Sequence, residues 1–239
     1  MTTKNLSTEV LKETKFLNLC ETTYQNKNGK TGTWVFAQRP NSQNAVMIVP
    51  ILVSHTNDSH PLFSHYPKSI EIVAIKEYRV PINGYEYGFP AGLIDKNESV
   101  LETVKRELKE ETGLDFIRLL KPISPPVYNS AGMTDEAVSI AFVECQGEIS
   151  AENTEASEDI TVYRYAKNHI ASLMINISNA KFPNVYAGAK AWVIFDMFVN
   201  SNYFENLLAQ PKVCKDKLCN DCRFERDSDE CLAYRSEQL

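Results

Sequence analysis

The longest apolar stretch of the chain, Ala45–Val53 with Pro50 inside it, predicts a buried strand and is too short to span a membrane. Upstream of it, the strand-like runs Phe16–Tyr24 and Gly32–Gln38 flank a polar turn whose Asn28-Gly29 pair is a strong hairpin signal. Strand patterns resume at Glu71–Tyr78, Tyr85–Phe89, Ser139–Gln146 and Thr161–Tyr165. Helical spacing predicts one helix over about Ser99–Thr112 and a second over Ala187–Leu208, where Ala191, Phe195, Phe198 and Val199 recur on one side. The polar segment His55–Lys68, which holds His55, His60 and His65, reads as a solvated loop, and Ser150–Asp159 as a Glu-rich one. Strands mixed irregularly with two main helices predict an α+β sandwich of sheet and helices.

Composition narrows the classes. The 239 residues can build one large domain or two small ones, and their net charge of −6 argues against a protein that works by coating nucleic acid or an anionic membrane. A phosphate-bearing substrate would need a local positive field that this composition lacks. Met1–Lys15 has no apolar core of a secretory signal, and six cysteines are too few for a disulfide scaffold, so the cytoplasm is the expected compartment.

The stretch Gly92 to Leu114 carries the chemistry. In a helix, Glu107, Glu110 and Glu111 fall within a wedge of roughly 100°. Leu101, Val104 and Leu108 fill the adjacent apolar sector, and Glu102, Lys105 and Lys109 lie beyond it. The wedge offers no cation between its acids, so their repulsion calls for a hard divalent ion; carboxylates suit Mg²⁺ or Mn²⁺. Gly113 reads as the helix C-cap, and Gly92 as a place where backbones approach closely.

These residues, Gly92, Glu98, Arg106-Glu107-Leu108, Glu110-Glu111 and Gly113-Leu114, match the Nudix box at every defined position, and the chain is identified by them as resembling the Nudix hydrolases. The resemblance implies an α/β/α sandwich with a mixed sheet, plus an N-terminal antiparallel β-domain. It also implies cleavage of a nucleoside diphosphate linked to another group. Glu107, Glu110 and Glu111 then look like metal ligands, with Glu98 assisting, Ala91 lending its carbonyl, and Arg106 orienting Glu107. Tyr78-Arg79-Val80-Pro81, Gly88–Asp95 and Ala131–Glu136 resemble the ADP-sugar (ADP-ribose) pyrophosphatase branch, whose members split their substrates into AMP and a sugar phosphate.

Within that branch Trp34 and Phe16 would stack on the adenine, each with a core aromatic as the alternative, while Arg39 and Arg79 would grip diphosphate or ribose. The base would be a glutamate of the later loop, Glu158 or Glu155. The resemblance also implies a homodimer in which the N-terminal domain serves the partner's site. Other readings are a Nudix hydrolase of GDP-mannose, NADH or a dinucleoside polyphosphate, and a module that senses ADP-ribose without cleaving it. The expected division is an N-terminal β-domain over 1–56, the Nudix domain over 57–209 and a Cys-rich tail over 210–239. In the tail Cys214, Cys219, Cys222 and Cys231 fit a structural Zn²⁺ site, free thiols or two disulfides. Cys20 and Cys145 read as core.

Overall fold

The structure, a computed structural model, describes residues 2–40, 44–55, 67–154 and 158–209. His60, His65, Glu155 and the four tail cysteines lie outside them.

The chain begins with a three-stranded antiparallel meander, β1 (Lys4–Lys12), β2 (Asn18–Gln25) and β3 (Thr31–Gln38). The β2–β3 turn is built by Asn26, whose side-chain oxygen accepts from the N–H groups of Asn28 (2.9 Å) and Lys30 (3.1 Å), with Gly29 at φ +82°. β1 carries no sequence signal of its own: every position along it is exposed, so the alternation that betrays a half-buried strand is missing.

A second, nine-stranded mixed sheet runs β12-β6-β5-β4-β10-β8, with β11 also paired to β5, β7 to β4 and β9 to β10. Its central strands are β4 (Ala45–His55), β5 (Pro67–Arg79) and β10 (Ala137–Gln146), flanked by β6 (Gly84–Gly88), β7 (Ala91–Leu93), β8 (Asp115–Leu119), β9 (Val127–Tyr128), β11 (Ile160–Tyr165) and β12 (Val185–Ala187). β4 and β10 run parallel and are buried on both faces, which is why both read as continuous apolar runs. Val46, Ile48 and Leu52 join the core beneath helix α1 (Val100–Thr112), while Met47, Val49 and Ile51 join the core beneath α2 (Lys167–Ser178), α3 (Ala189–Asn200) and α4 (Tyr203–Ala209). The result is the helix–sheet–helix sandwich the sequence implied.

The single helix expected over 187–208 is three elements instead. Ala187 closes β12, which pairs in parallel with β6; Gly188 starts α3, and the extended backbone of Ser201 separates α3 from α4. Parallel pairing to a strand a hundred residues earlier leaves no local trace in the sequence. Helix α2 also escaped the periodicity reading, since only Ile170 and Leu173 on it are fully buried. Cys20 and Cys145 are buried free thiols, as read. Among the described residues no helix is long and apolar enough to cross a membrane.

One detail of β4 positions the site. Along the same edge it pairs first with β7 (Ala45–Met47 against Leu93–Ala91) and then with β5 (Ile51–His55), and Pro50 falls between the two partners, close to where Ile48 N–H reaches Pro90 O (2.8 Å). The chain therefore opens between β5 and β7, and α1 packs across that opening.

Candidate active site

Helix α1 is pinned at both ends. Ser99 caps its N-terminus in a reciprocal box with Glu102, and Gly113, left-handed at φ +74°, caps its C-terminus with its N–H on Lys109 O (3.0 Å). Leu101, Val104 and Leu108 bury beneath the sheet, which turns Glu107 and Glu111 toward the short strand β7.

Gly92 of β7 faces Glu107 so closely that a methyl group built on it would overlap the Glu107 carboxylate, so this position has no room for a side chain. Its neighbour Ala91 donates its N–H to Glu111. The other carboxylate oxygen of Glu111, Oε2, is buried without a partner. Burial comes first, then the charges of Glu107, Glu158 and Glu77, in pushing the Glu111 carboxyl up to about 9. Burial likewise raises Glu107, against the opposing pull of Arg106. An orphaned oxygen on a crowded, buried acid is what a hard cation would satisfy, and the neighbouring donors are the oxygens such an ion prefers. Among the described residues, no three His, Cys, Asp or Glu side chains form a closed ligand set.

Arg106 is the hub of the acids. Its Nε and Nη2 fork onto Glu98 (3.0 and 2.9 Å), its Nη1 bonds Glu107 (2.6 Å) and Glu110 (3.1 Å), and Nη2 also reaches Leu93 O (3.3 Å). The sequence reading left the wedge without a cation; the structure places one there, because the long Arg106 side chain reaches back across the turn from the edge of the sector. That fork is the first cause holding the Glu98 carboxyl below its ordinary pKa.

On the other side of the opening stands β5. β11 pairs with it in the register Ile160↔Glu77, and Tyr78 N–H donates to Asp159 O (3.1 Å). Glu158, just upstream, is thereby placed where its charge bears on Glu107, Glu111 and Glu77. Glu77 was missed by sequence reasoning. Its signal was an acid near the end of a largely apolar strand, two residues from Arg79 and so on the same face of β5. Burial raises the Glu77 carboxyl, partly offset by Arg79, whose Nη1 lies 2.6 Å from it. Arg79 also pairs with Glu86 (3.3 Å).

The remaining candidates lie at the junction of the two sheets. Trp34 Nε1 donates to Gly132 O (3.1 Å), Ala37 N–H to Met133 O (2.9 Å), and Arg39 pairs with Glu136 (2.6 Å). There Tyr24, Trp34, Phe36 and Tyr128 wall a cavity of about 550 Å³, with Thr134 and Asp135 as polar lining. The cross-strand register Thr22↔Trp34 and Cys20↔Phe36 puts these side chains on one face of the meander. Phe16 is not among them. It stands 67% exposed with Lys15 Nζ over its ring at 4.9 Å, so one chain does not bring the two expected stacking aromatics together. Tyr24 and Tyr128, which the sequence reading did not single out, share the cavity with Trp34 instead.

Comparison with known proteins bears on this geometry. Residues 65–182 match the model of the NUDIX domain. The chain is 41% identical over 98 residues to the ADP compounds hydrolase NudE of Escherichia coli, 40% of this chain and 44% of that one. It is 34% identical over 132 residues to the ADP-ribose pyrophosphatase of Saccharomyces cerevisiae, 54% of this chain and 53% of that one. It is 28% identical over 146 residues to the ADP-sugar pyrophosphatase of mouse, 59% and 61% respectively. These matches thus span between 44% and 61% of each relative's length. A crystal structure of an ADP compounds hydrolase superposes with a TM-score of 0.54 at 24% identity, over 77% of this chain and 85% of that one, a likeness of fold.

Proposed function

We propose that this chain, whose residues 65–182 match the NUDIX domain, is a Nudix hydrolase of the diphosphate bond of ADP-ribose or a related nucleoside diphosphate sugar, giving AMP and a sugar phosphate. The observation that carries the reading is Glu111, a buried acid with an orphaned oxygen, set against Ala91 and Glu107 at the opening between β5 and β7.

Glu107, Glu110 and Glu111, with Glu98 and the Ala91 carbonyl, are the groups that would hold Mg²⁺ or Mn²⁺. When bound, such ions neutralise the diphosphate oxygens and lower the pKa of an attacking water. Arg106 orients Glu107 through its 2.6 Å bond and keeps Glu98 ionised. Glu158 is the base that takes the proton from water; it enters from the β11 side, whereas the ligand acids enter from α1. Its rival Glu155 lies outside the described residues. Arg79, at the rim beside Glu77, grips the diphosphate by its guanidinium fork, Arg39 the terminal ribose, and the cavity at Trp34 takes the base.

The test is a panel of ADP-ribose, ADP-glucose, GDP-mannose, NADH and a diadenosine polyphosphate with Mg²⁺, read as phosphate released by a coupled phosphatase. ADP-sugars should lead; a preference for a guanine or non-sugar substrate would remove the branch assignment. Gly92→Ala should keep the fold and cut kcat about a hundredfold, because a displaced Glu107 no longer meets its partners. A kcat near wild type would refute the role given to Glu107.

The same reading includes a homodimer. It is supported by the outer face of the meander, where Leu19 and Val35 stand exposed, and by the neighbouring exposed Leu6, Leu11 and Leu17. Light scattering should give twice the 27.1 kDa chain mass, and Leu19→Asp with Val35→Asp should shift it to the monomer. A wild-type monomer at working concentration would contradict the dimer.

A further inference from the structure

Asp159 is held by two bonds that the hydrolysis itself does not need. Its carbonyl accepts from Tyr78 N–H at 3.1 Å, and its carboxylate accepts from the Tyr85 hydroxyl at 2.6 Å. Tyr85 comes from β6, seventy-four positions earlier in the chain, so the second bond ties the start of β11 to a strand it does not pair with.

Tyr85 is itself built as a fixed post. Its N–H donates to Asn184 O (2.8 Å), and its strand lies between β5 and β12. The ring meets Tyr78 edge-on, with centroids 5.4 Å apart and planes at 74°, and Lys76 Nζ sits 4.7 Å from its centre. Tyr78 in turn is anchored through its hydroxyl to Asn83 Oδ1 (2.8 Å), the left-handed residue that closes the turn before β6. The bond to Asp159, ahead of burial, holds the Tyr85 phenol above its ordinary pKa, so the hydroxyl stays a donor. This post, standing next to the residue adjoining Glu158, has no core to fill.

From this geometry we propose that Tyr85 is a positioning residue: through Asp159 it fixes the backbone from which Glu158 reaches the acid cluster. The proposal rests on the reading of Glu158 as the base. A side chain that must meet a water within hydrogen-bond distance tolerates little backbone drift. With Asp159 held at both its carbonyl and its carboxylate, the backbone that follows Glu158 is fixed on two sides. Without the Tyr85 hydroxyl, the Asp159 carboxylate loses this tie and the Tyr78 N–H bond to its carbonyl is left to hold the segment. The effect belongs to turnover, since neither Tyr85 nor Asp159 is among the groups assigned to hold substrate.

The experiment compares Tyr85→Phe, Asp159→Asn, Asp159→Ala, Glu158→Gln and the double variant Tyr85→Phe/Glu158→Gln in ADP-ribose hydrolysis with Mg²⁺. Tyr85→Phe should lower kcat about tenfold with KM and melting temperature unchanged. Asp159→Asn keeps an acceptor for the phenol and should retain more activity than Asp159→Ala. In the Glu158→Gln background the Tyr85 substitution should cost nothing further, since the residue it positions has lost its function. A Tyr85→Phe enzyme at the wild-type rate beside a crippled Glu158→Gln enzyme overturns the positioning role and leaves the base standing. An undiminished Tyr85→Phe loss in the double variant also overturns it, by showing another route of action. A Glu158→Gln enzyme at the wild-type rate instead removes the base assignment on which the proposal rests.

Discussion

Glu111→Gln is expected to lower kcat for ADP-ribose hydrolysis by at least about 10³-fold while leaving the protein folded. The substitution keeps the size and the hydrogen-bonding reach of the side chain, so the Ala91 N–H retains an acceptor. What it removes is the ability of Glu111 to ionise at its orphaned Oε2 when a cation displaces the proton, and with it the strongest reason for a divalent ion to settle against α1. Steady-state kinetics with circular dichroism on the same sample checks both halves. Activity near wild type would show that the buried acid is a structural feature and that the ligand set lies elsewhere.

The second large effect concerns stability. In the metal-free protein the Glu111 carboxyl is pushed up to about 9, first by burial and then by the neighbouring acids, against an ordinary value of 4.5. Between those two values the folded chain binds a proton that the unfolded chain has lost, so stability falls as pH rises. Glu107 and Glu77 are raised as well and act in the same direction, whereas Glu98 and Glu136 are lowered and matter only at more acid pH. In EDTA the loss should be on the order of 1 kcal/mol per pH unit from about pH 5 to pH 9, or roughly 2–4 °C in Tm per unit. Excess Mg²⁺ should flatten the slope by stabilising the ionised cluster, and Glu111→Gln should flatten it without metal. Calorimetric scans across that range decide; a stability in EDTA that climbs toward pH 9 would contradict the crowded-acid account.

Much of this was legible in the chain. Gly113 as the helix C-cap and the spacing of Leu101, Val104 and Leu108 are local signals, and together they set which acids face β7; the Ser99–Glu102 capping box is a further local signal that went unread. The central strands were legible because burial on both faces writes itself as continuous apolar sequence. The site's far wall was legible only in part: the resemblance offered Glu158 as the base, while Glu77 went unread. Glu77 and Glu158 reach the cluster through the pairing of β5 with β11, and no local pattern reports that register. Arg106 was legible as a residue but not as a clamp on four groups, because its reach depends on where the loop ending at Glu98 returns to the helix. At the sheet junction, Trp34 was identified on its predicted hairpin and Tyr24 lies across that same hairpin, whereas Tyr128 joins them through the bridge between Ala37 and Thr134, ninety-seven residues apart.

The acidic charge of the chain takes on a different meaning in this light. At the opening of the sheet the charge of Glu158 bears on three raised carboxyls, those of Glu77, Glu107 and Glu111, so acids from α1 meet acids from the β5–β11 side. Such a cluster repels a diphosphate unless cations lie between them, which ties the proposed activity to divalent metal.

The most direct test is therefore a chromatographic time course of ADP-ribose with the full-length protein, run with Mg²⁺, with EDTA, and with Mg²⁺ restored. AMP and a sugar phosphate should appear in equal amounts, silenced by EDTA and recovered on re-addition. Tight binding of ADP-ribose with no AMP released under Mg²⁺ or Mn²⁺ would contradict it and make the protein a sensor of the nucleotide.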